Sequence, residues 1–331
     1  MTLFLIRPGT TNYQKNHSLT KIYFKILTLA IAFSCSSIYD NEQQINQEND
    51  VEYENQYGEI HYGISEYGIT FQGLDRDFIV YIPESYKHDS SSSILFVFHG
   101  FGGSNDQIMY YSDFNVIAER ENFIVVYPQG SSFFGFPHWP VGGWTNGSTT
   151  DDVSLTDFLI ELISQDYNVN QDRIYATGMS NGGFFSFLLG CQLSNKFAAV
   201  ASVTGSMTTE TFNECNPERE LPILQIHGTD DSIVTYNGNS SIGSIGIPEV
   251  LTYWSSNNYC NDSETTQIND SNPNDNFYIE RLLFDGGING SVIDHYKVYG
   301  GEHVWFMSED INSSELIWEF FSHHDLNGFI D

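Results

Sequence analysis

The chain has 331 residues, of which 40% are hydrophobic and 15% aromatic, enough for the packed core of one large domain or two small ones. Its 43 acidic residues outnumber 12 basic ones, and the resulting formal charge of −31 makes nucleic acid and anionic membrane surfaces poor partners. The charge is also unevenly placed, because Arg7, Lys15, Lys21 and Lys25 all precede residue 34 and every acidic residue follows it.

Lys21 and Lys25 lead into Ile26-Leu27-Thr28-Leu29-Ala30-Ile31-Ala32-Phe33, an apolar run of signal-peptide length that is short for a bilayer span. Residues 1–34 therefore read as an export signal. Ala32 and Ser34 suit ordinary signal cleavage, whereas Ser34-Cys35 resembles a bacterial lipoprotein box with Cys35 as the lipidated residue. Both routes stay open, and a membrane contact is expected only through that lipid. Residues 35–57 are rich in Asn, Gln and Glu and too poor in apolar surface to repay ordering, so they read as a disordered linker. Residues 58–327 read as a single catalytic domain.

Within that domain, strand-like and helix-like segments alternate. Glu59–Phe71 and Asp77–Ile82 read as antiparallel opening strands, with Pro83 as a stop. Ile94–Phe98 and Phe123–Tyr127 are continuous apolar runs of the kind buried on both faces of a parallel sheet, with a helical stretch at Asp113–Arg120 between them. A glycine-rich aromatic loop spans Phe133–Thr150, and Ser154–Ser164 has helical spacing. Arg173–Thr177 (strand), Gly182–Leu189 (helix), Ala198–Val203 and Ile223–Ile226 (strands), Glu249–Ser255 (helix), Ile293–Val298 (strand) and Ser314–Phe321 (helix) complete the pattern. It predicts a doubly wound, mostly parallel α/β sheet with antiparallel N-terminal strands.

Function in such sheets gathers past the C-terminal strand ends. Gly178-Met179-Ser180-Asn181-Gly182 follows the Arg173 strand and has the spacing of a nucleophile elbow, where a serine on a sharp strand-to-helix turn needs neighbours without side chains. The Ile223 strand runs into His227-Gly228-Thr229-Asp230-Asp231, and the Ile293 strand into Gly300-Gly301-Glu302-His303-Val304-Trp305. Serine, aspartate and histidine in this order match the triads of the α/β-hydrolase fold. After the first buried strand, His99-Gly100-Phe101-Gly102-Gly103-Ser104 supplies glycines where that fold builds half of its oxyanion hole. The backbone N–H groups of Phe101 and Asn181 are the donors expected there. His99 reads as a loop-holding residue rather than a second base.

These motifs, together with Tyr81-Ile82-Pro83, Tyr127-Pro128-Gln129-Gly130, Asp151-Asp152-Val153 and Phe197-Ala198-Ala199-Val200, resemble the secreted esterases grouped as polyhydroxybutyrate depolymerases, feruloyl esterases and acetylxylan esterases. The resemblance runs from about Tyr81 to Phe321. It implies Ser180 as nucleophile, Asp231 as acid and His303 as base, with no metal or organic cofactor. Glu302 stands where that family usually has glycine, and Leu283-Phe284-Asp285 lacks the cysteine that many members would pair with Cys260. Similar members carry cysteines near Cys191 and Cys215, which implies a bridge between those two and a free Cys260; three reduced thiols are the alternative.

Thr204–Pro222 is too short to build a lid, so an open cleft without a large lid domain is expected. Trp144, in the aromatic loop, and Trp305, beside His303, are the candidate substrate-binding rings, although rings in these segments also serve simply to cover a sheet. The acidic stretch Asn269–Asn276 reads as a solvated loop, since it lacks the glycine-turned, glutamate-ended pattern of a calcium loop. The sequence thus points to a monomeric exported serine esterase. Feruloyl or acetyl esters on polysaccharide are the first substrate reading, short-chain polyhydroxyalkanoate the second, and a catalytically silent binding module the remaining alternative.

Overall fold

The computed structural model describes residues 57, 59–271 and 277–330. The export signal with Cys35, the linker up to residue 56 and residues 272–276 of the acidic stretch lie outside them.

Strand β1 (Gly63–Phe71) alternates more and less buried residues and pairs antiparallel with β2 (Leu74–Ile82). The two residues between them, Gln72 and Gly73, have φ of 49° and 82°, the positive values that two-residue hairpin turns favour. Every residue of β3 (Ser92–Phe98) is buried, as is every residue of β4 (Ile124–Pro128). Helices α1 (Asn105–Ser112) and α2 (Phe114–Glu121) connect them. The aromatic loop contains a small hairpin, β5 (Ser131–Phe133) and β6 (Phe136–His138), followed by a 3-10 turn at Gly143–Thr145. Then come α3 (Asp152–Asp166), β7 (Val169–Met179), α4 (Asn181–Gln192), β8 (Ala199–Val203), α5 (Thr209–Glu214), β9 (Ile223–Gly228) and α6 (Ile247–Asn257). The chain continues through β10 (Asp262–Gln267), β11 (Tyr278–Asp285), β12 (Ile293–Tyr299), α7 (Ser313–Ser322) and a last short hairpin, β13 (His324–Asp325) with β14 (Gly328–Phe329).

Ten strands form one sheet in the order β1-β2-β4-β3-β7-β8-β9-β12-β11-β10. The six from β4 to β12 are mutually parallel. The predicted antiparallel start is present at one edge, and β11 and β10 add an unforeseen antiparallel flank at the other. Alternate side chains build a core on each face. Ile94, Phe96 and Ile174 meet Leu159, Phe185 and Trp254 on one face. Leu95, Val125 and Tyr175 meet Ile117, Trp318 and Phe321 on the other.

From β3 the chain moves to β4 on one side, then crosses back to β7 on the other. That reversal makes the C-terminal ends of β3 and β7 a topological switch point, where open α/β sheets leave a crevice. The Gly100 loop and Ser180 occupy those two ends.

Candidate active site

Ser180 sits between the last residue of β7 and the first of α4 with φ 56° and ψ −120°, a conformation that L residues adopt only where the surroundings impose it. The surroundings here are backbone. A Cβ on Gly178 would lie 2.5 Å from the carbonyl carbon of Gly182, and one on Gly182 would lie 2.1 Å from the carbonyl oxygen of Phe98. The two glycines thus let β7, α4 and β3 converge, and the serine takes the strain. Its own N–H donates to the Val203 carbonyl at 2.9 Å, and its carbonyl accepts from Phe184 at 3.0 Å.

The loop after β3 runs past this serine so closely that a Cβ on Gly100 would lie 3.4 Å from the Ser180 Cβ. Gly102 donates to the Pro137 carbonyl at 2.7 Å and Gly103 to that of Gly100 at 3.0 Å. The N–H of Phe101, just before them, has no acceptor among the described residues. The N–H of Asn181, as the first residue of α4, has no intrahelical acceptor either. His99 uses both ring nitrogens: Nδ1–H donates to the Gly100 carbonyl at 2.7 Å, and Nε2 accepts from the N–H of Gly130 at 3.0 Å. Burial pushes its pKa down to about 4, so it is a neutral clamp on this loop.

At the ends of β9 and β12, Asp231 and His303 are paired. Asp231 Oδ1 accepts from the N–H groups of Ile233 (2.9 Å) and Val234 (2.8 Å), and Oδ2 accepts from His303 Nδ1–H at 2.7 Å. Burial alone would raise this carboxyl's pKa, but the His303 hydrogen bond, the two neighbouring histidines and the Val234 N–H outweigh it and hold the group below the ordinary carboxylate range. The pairing assigns the His303 proton to Nδ1 and leaves Nε2, on a ring 18% exposed, as an acceptor. Adjacent Asp230 stays exposed. The two loops are tied together, since Asp230 N–H donates to the Gly301 carbonyl at 2.9 Å and Gly300 N–H to Thr229 Oγ1 at 3.0 Å.

Two further side chains support these loops and escaped the sequence reading. His227, fully buried, donates from Nε2 to the Val234 carbonyl at 2.7 Å, accepts at Nδ1 from Gln225 Nε2 at 3.1 Å and lies 3.5 Å from Asp231 Oδ2. Burial lowers its pKa, and through Val234 the ring braces the loop that carries the aspartate. Its place at the head of His-Gly-Thr-Asp-Asp was the available signal. Trp139 was hidden in the aromatic loop: its indole N–H donates to the His99 carbonyl at 2.8 Å, and its ring stacks on Phe185 at 5.1 Å.

The two tryptophans expected to meet substrate are placed differently. Trp305 is only 3% exposed, with its indole N–H donating to Ser314 Oγ at 2.9 Å and its ring edge-on to Phe114. It belongs to the core beneath the His303 loop and offers no face to a ligand, because the residue two after the histidine turns back onto α7. Trp144 is half-buried against Phe184 of α4, ring centroids 4.9 Å apart. An open cleft of about 540 Å³ beside the elbow is instead lined by Gly100, Met179, Ile108, Tyr110 and Tyr111. Cys191 and Cys215 are joined by a disulfide, and Cys260 is free. Among the described residues no group of His, Cys, Asp and Glu side chains could hold a metal ion, and no helix is long and apolar enough to cross a membrane.

A parallel-centred sheet, a strained serine at its switch point and an Asp–His pair at two later strand ends define the α/β-hydrolase fold. The acetyl xylan esterase from Aspergillus awamori has this fold and superposes with a TM-score of 0.58 at 15% identity, covering 78% of this chain and 99% of that one. The model of the Esterase family matches residues 71–276, more than half of the chain, and the chain belongs to that family. Among curated proteins it is 28% identical over 260 residues to a bifunctional acetylxylan esterase/xylanase of Neocallimastix patriciarum, covering 78% of this chain and 34% of that one. It is 31% identical over 194 residues to feruloyl esterase B of Piromyces equi, covering 56% of this chain and 36% of that one. The match thus spans about a third of the length of these two relatives.

Proposed function

We propose that this chain is an exported serine esterase that cleaves carboxylic esters, feruloyl or acetyl, carried by a polysaccharide. The observation that carries the reading is the backbone of Ser180. The strained turn stands at the crevice between β3 and β7 and leaves Ser180 partly exposed there, which supports a nucleophile's role for it.

In this reading His303 Nε2 takes the proton from Ser180 Oγ as the oxygen attacks the ester carbonyl carbon. Asp231 holds the ring in the required tautomer and stabilises the imidazolium that forms. The N–H groups of Phe101 and Asn181 receive the oxyanion. Collapse of the tetrahedral intermediate expels the alcohol, which takes the proton from His303, and leaves an acyl group on Ser180. Water, deprotonated by His303, attacks the acyl carbon, and the acid departs as Ser180 regains its proton. No step calls for a metal or organic cofactor.

The names of the Neocallimastix patriciarum and Piromyces equi relatives support the substrate class. The basic, apolar segment at residues 21–34 supports export, by cleavage or through a lipid on Cys35. The test is to compare kcat/KM of the pure protein for p-nitrophenyl acetate, methyl ferulate, acetylated xylan and a hydroxybutyrate oligomer. Hydrolysis of the first three is expected. Preference for the oligomer would overturn the polysaccharide reading, and a folded protein inert to all four would overturn the esterase reading.

A further inference from the structure

Helix α1 buries Ile108, Met109 and Ser112 and turns Asp106, Gln107, Tyr110 and Tyr111 outward. Residues three and four apart share one side of a helix, so these four form a single exposed face. The two rings are 74% and 46% exposed. All four line the open cleft beside the elbow, together with Gly100 and Met179, which flank Ser180 in space and in sequence. The fold makes little use of their polar groups. The side chains of Gln107 and Tyr110 make no hydrogen bond among the described residues, and Asp106 accepts only from the Ser104 hydroxyl. The Tyr111 hydroxyl accepts the N–H of Trp305 at 3.3 Å, and its own O–H stays available as a donor.

The same bond fixes which half of an ester meets this wall. Trp305 follows His303 by two residues, and its indole N–H continues through Ser314 Oγ to the Ser112 carbonyl at the end of α1. Helix α1 and the His303 loop therefore form one side of the crevice. The aromatic loop forms the other: Ile108 and Met109 pack with Leu95 and Val125 on one face of the sheet, whereas Trp139 and Val141 pack with Phe96 and Phe185 on the opposite face. In acyl transfer through a serine, the departing alcohol takes its proton from the histidine, so its oxygen lies at Nε2 and the group it carries runs along the histidine's side. The acyl and alcohol halves leave the carbonyl carbon in opposing directions. The alcohol half accordingly faces α1.

We infer that the exposed face of α1 is a subsite for an uncharged sugar ring on the alcohol side of the ester, with Tyr110 and Tyr111 as its platform and Gln107 and Asp106 as partners for its hydroxyl groups. This rests on the esterase reading above and assigns the place where the sugar that carries the ester is held. A sugar ring has C–H faces that lie on aromatic rings and a rim of hydroxyl groups that need donors and acceptors. Tyrosine supplies a flat ring with a polar tip, the glutamine amide both donates and accepts, and the carboxylate accepts. A plain alkyl alcohol would leave these four polar groups unused. An anionic sugar would meet Asp106 in a chain whose formal charge is −31.

The experiment is the ratio of kcat/KM for acetylated xylobiose to that for methyl acetate, two esters that share an acyl group and differ in the alcohol. It is measured in wild type, Tyr110→Ala, Tyr110→Phe and Gln107→Ala, substitutions at exposed positions that the folded core does not feel. Wild type should favour the sugar ester. The ratio should fall about tenfold in Tyr110→Ala, as for loss of one aromatic contact, and about fivefold in Gln107→Ala, as for loss of one hydrogen bond. Tyr110→Phe keeps the ring and should keep most of the ratio. A ratio unaltered in both alanine variants would overturn the subsite. So would a change confined to the ratio of methyl ferulate to methyl acetate, which would put the tyrosines on the acyl side. A wild-type protein that hydrolyses none of these esters would take down the esterase reading itself, an outcome distinct from an active enzyme with an unaltered ratio.

Discussion

The side-chain amide of Asn181 satisfies both backbone groups of Trp139: Oδ1 accepts the Trp139 N–H at 2.8 Å and Nδ2 donates to its carbonyl at 3.0 Å. The first residue of the elbow helix therefore fastens a loop 42 positions away in sequence, and both partners are fully buried. Because Asn181 directly follows Ser180 and opens α4 while its side chain holds the loop, one residue links the elbow to the aromatic loop.

Replacing Asn181 by Ala keeps the backbone N–H and leaves two buried backbone groups unpaired. The cost is about 2–5 kcal/mol of stability, read as a lowered urea midpoint. KM for methyl ferulate should rise more than kcat falls. Asn181→Asp restores only the acceptor and sets a carboxylate against the Trp139 carbonyl, so it should be no better than Ala. A variant with wild-type stability would show that the clamp is not needed.

The Asp231–His303 pair makes a separate prediction. Asp231→Asn preserves shape, but its amide can present N–H to His303 and favour the wrong tautomer, as in other triads where kcat falls about 10⁴-fold with little change in KM. Steady-state kinetics on p-nitrophenyl acetate check it. Loss of less than about tenfold would mean that this carboxylate does not orient the base.

Stability should fall in mild acid for reasons unrelated to catalysis. Burial pushes the pKa of His99 down to about 4, of His295 to about 3 and of His324 to about 4, from an ordinary 6.5. Desolvation is the cause: the backbone carbonyl each ring donates to, that of Gln225 at 2.9 Å for His295, favours the charged form and only partly offsets it. Below pH 6.5 the unfolded chain takes up protons that the folded chain refuses. The stabilisation is therefore full above 6.5 and declines as pH drops toward 4, by up to about 1.4 kcal/mol per pH unit for each histidine. Urea midpoints at pH 7.5 and 5 should show the loss, and a midpoint that is flat or higher at pH 5 would contradict it.

The parallel core and the candidate site were legible in the sequence because few residue patterns can meet their demands. Ile94–Phe98 has no polar face, as a doubly covered strand requires. Gly178 and Gly182 flank Ser180 because backbone of α4, of β3 and of His99 just after it passes within 3 Å of where their side chains would be. Other parts were illegible for equally physical reasons. All of Asp262–Gln267 is exposed in β10, so that edge strand carries no hydrophobic alternation. Helix α1 buries only Ile108, Met109 and Ser112, too little for a periodic signal. Trp305 follows His303 closely in sequence, yet a turn of backbone sends one ring toward Asp231 and the other into the core. The clamp from Asn181 to Trp139 is a tertiary contact that neither segment announces.

The most direct test of the central claim is to find where the acyl group goes. The protein is mixed with p-nitrophenyl acetate, quenched in acid during turnover and digested, and the peptides are weighed by mass spectrometry. The account predicts one added acetyl on the peptide containing Ser180, absent from Ser180→Ala, whose hydrolysis should fall by about 10⁵-fold or more. An active wild-type enzyme with its acetyl on another residue, or a Ser180→Ala variant that keeps its activity, would contradict it.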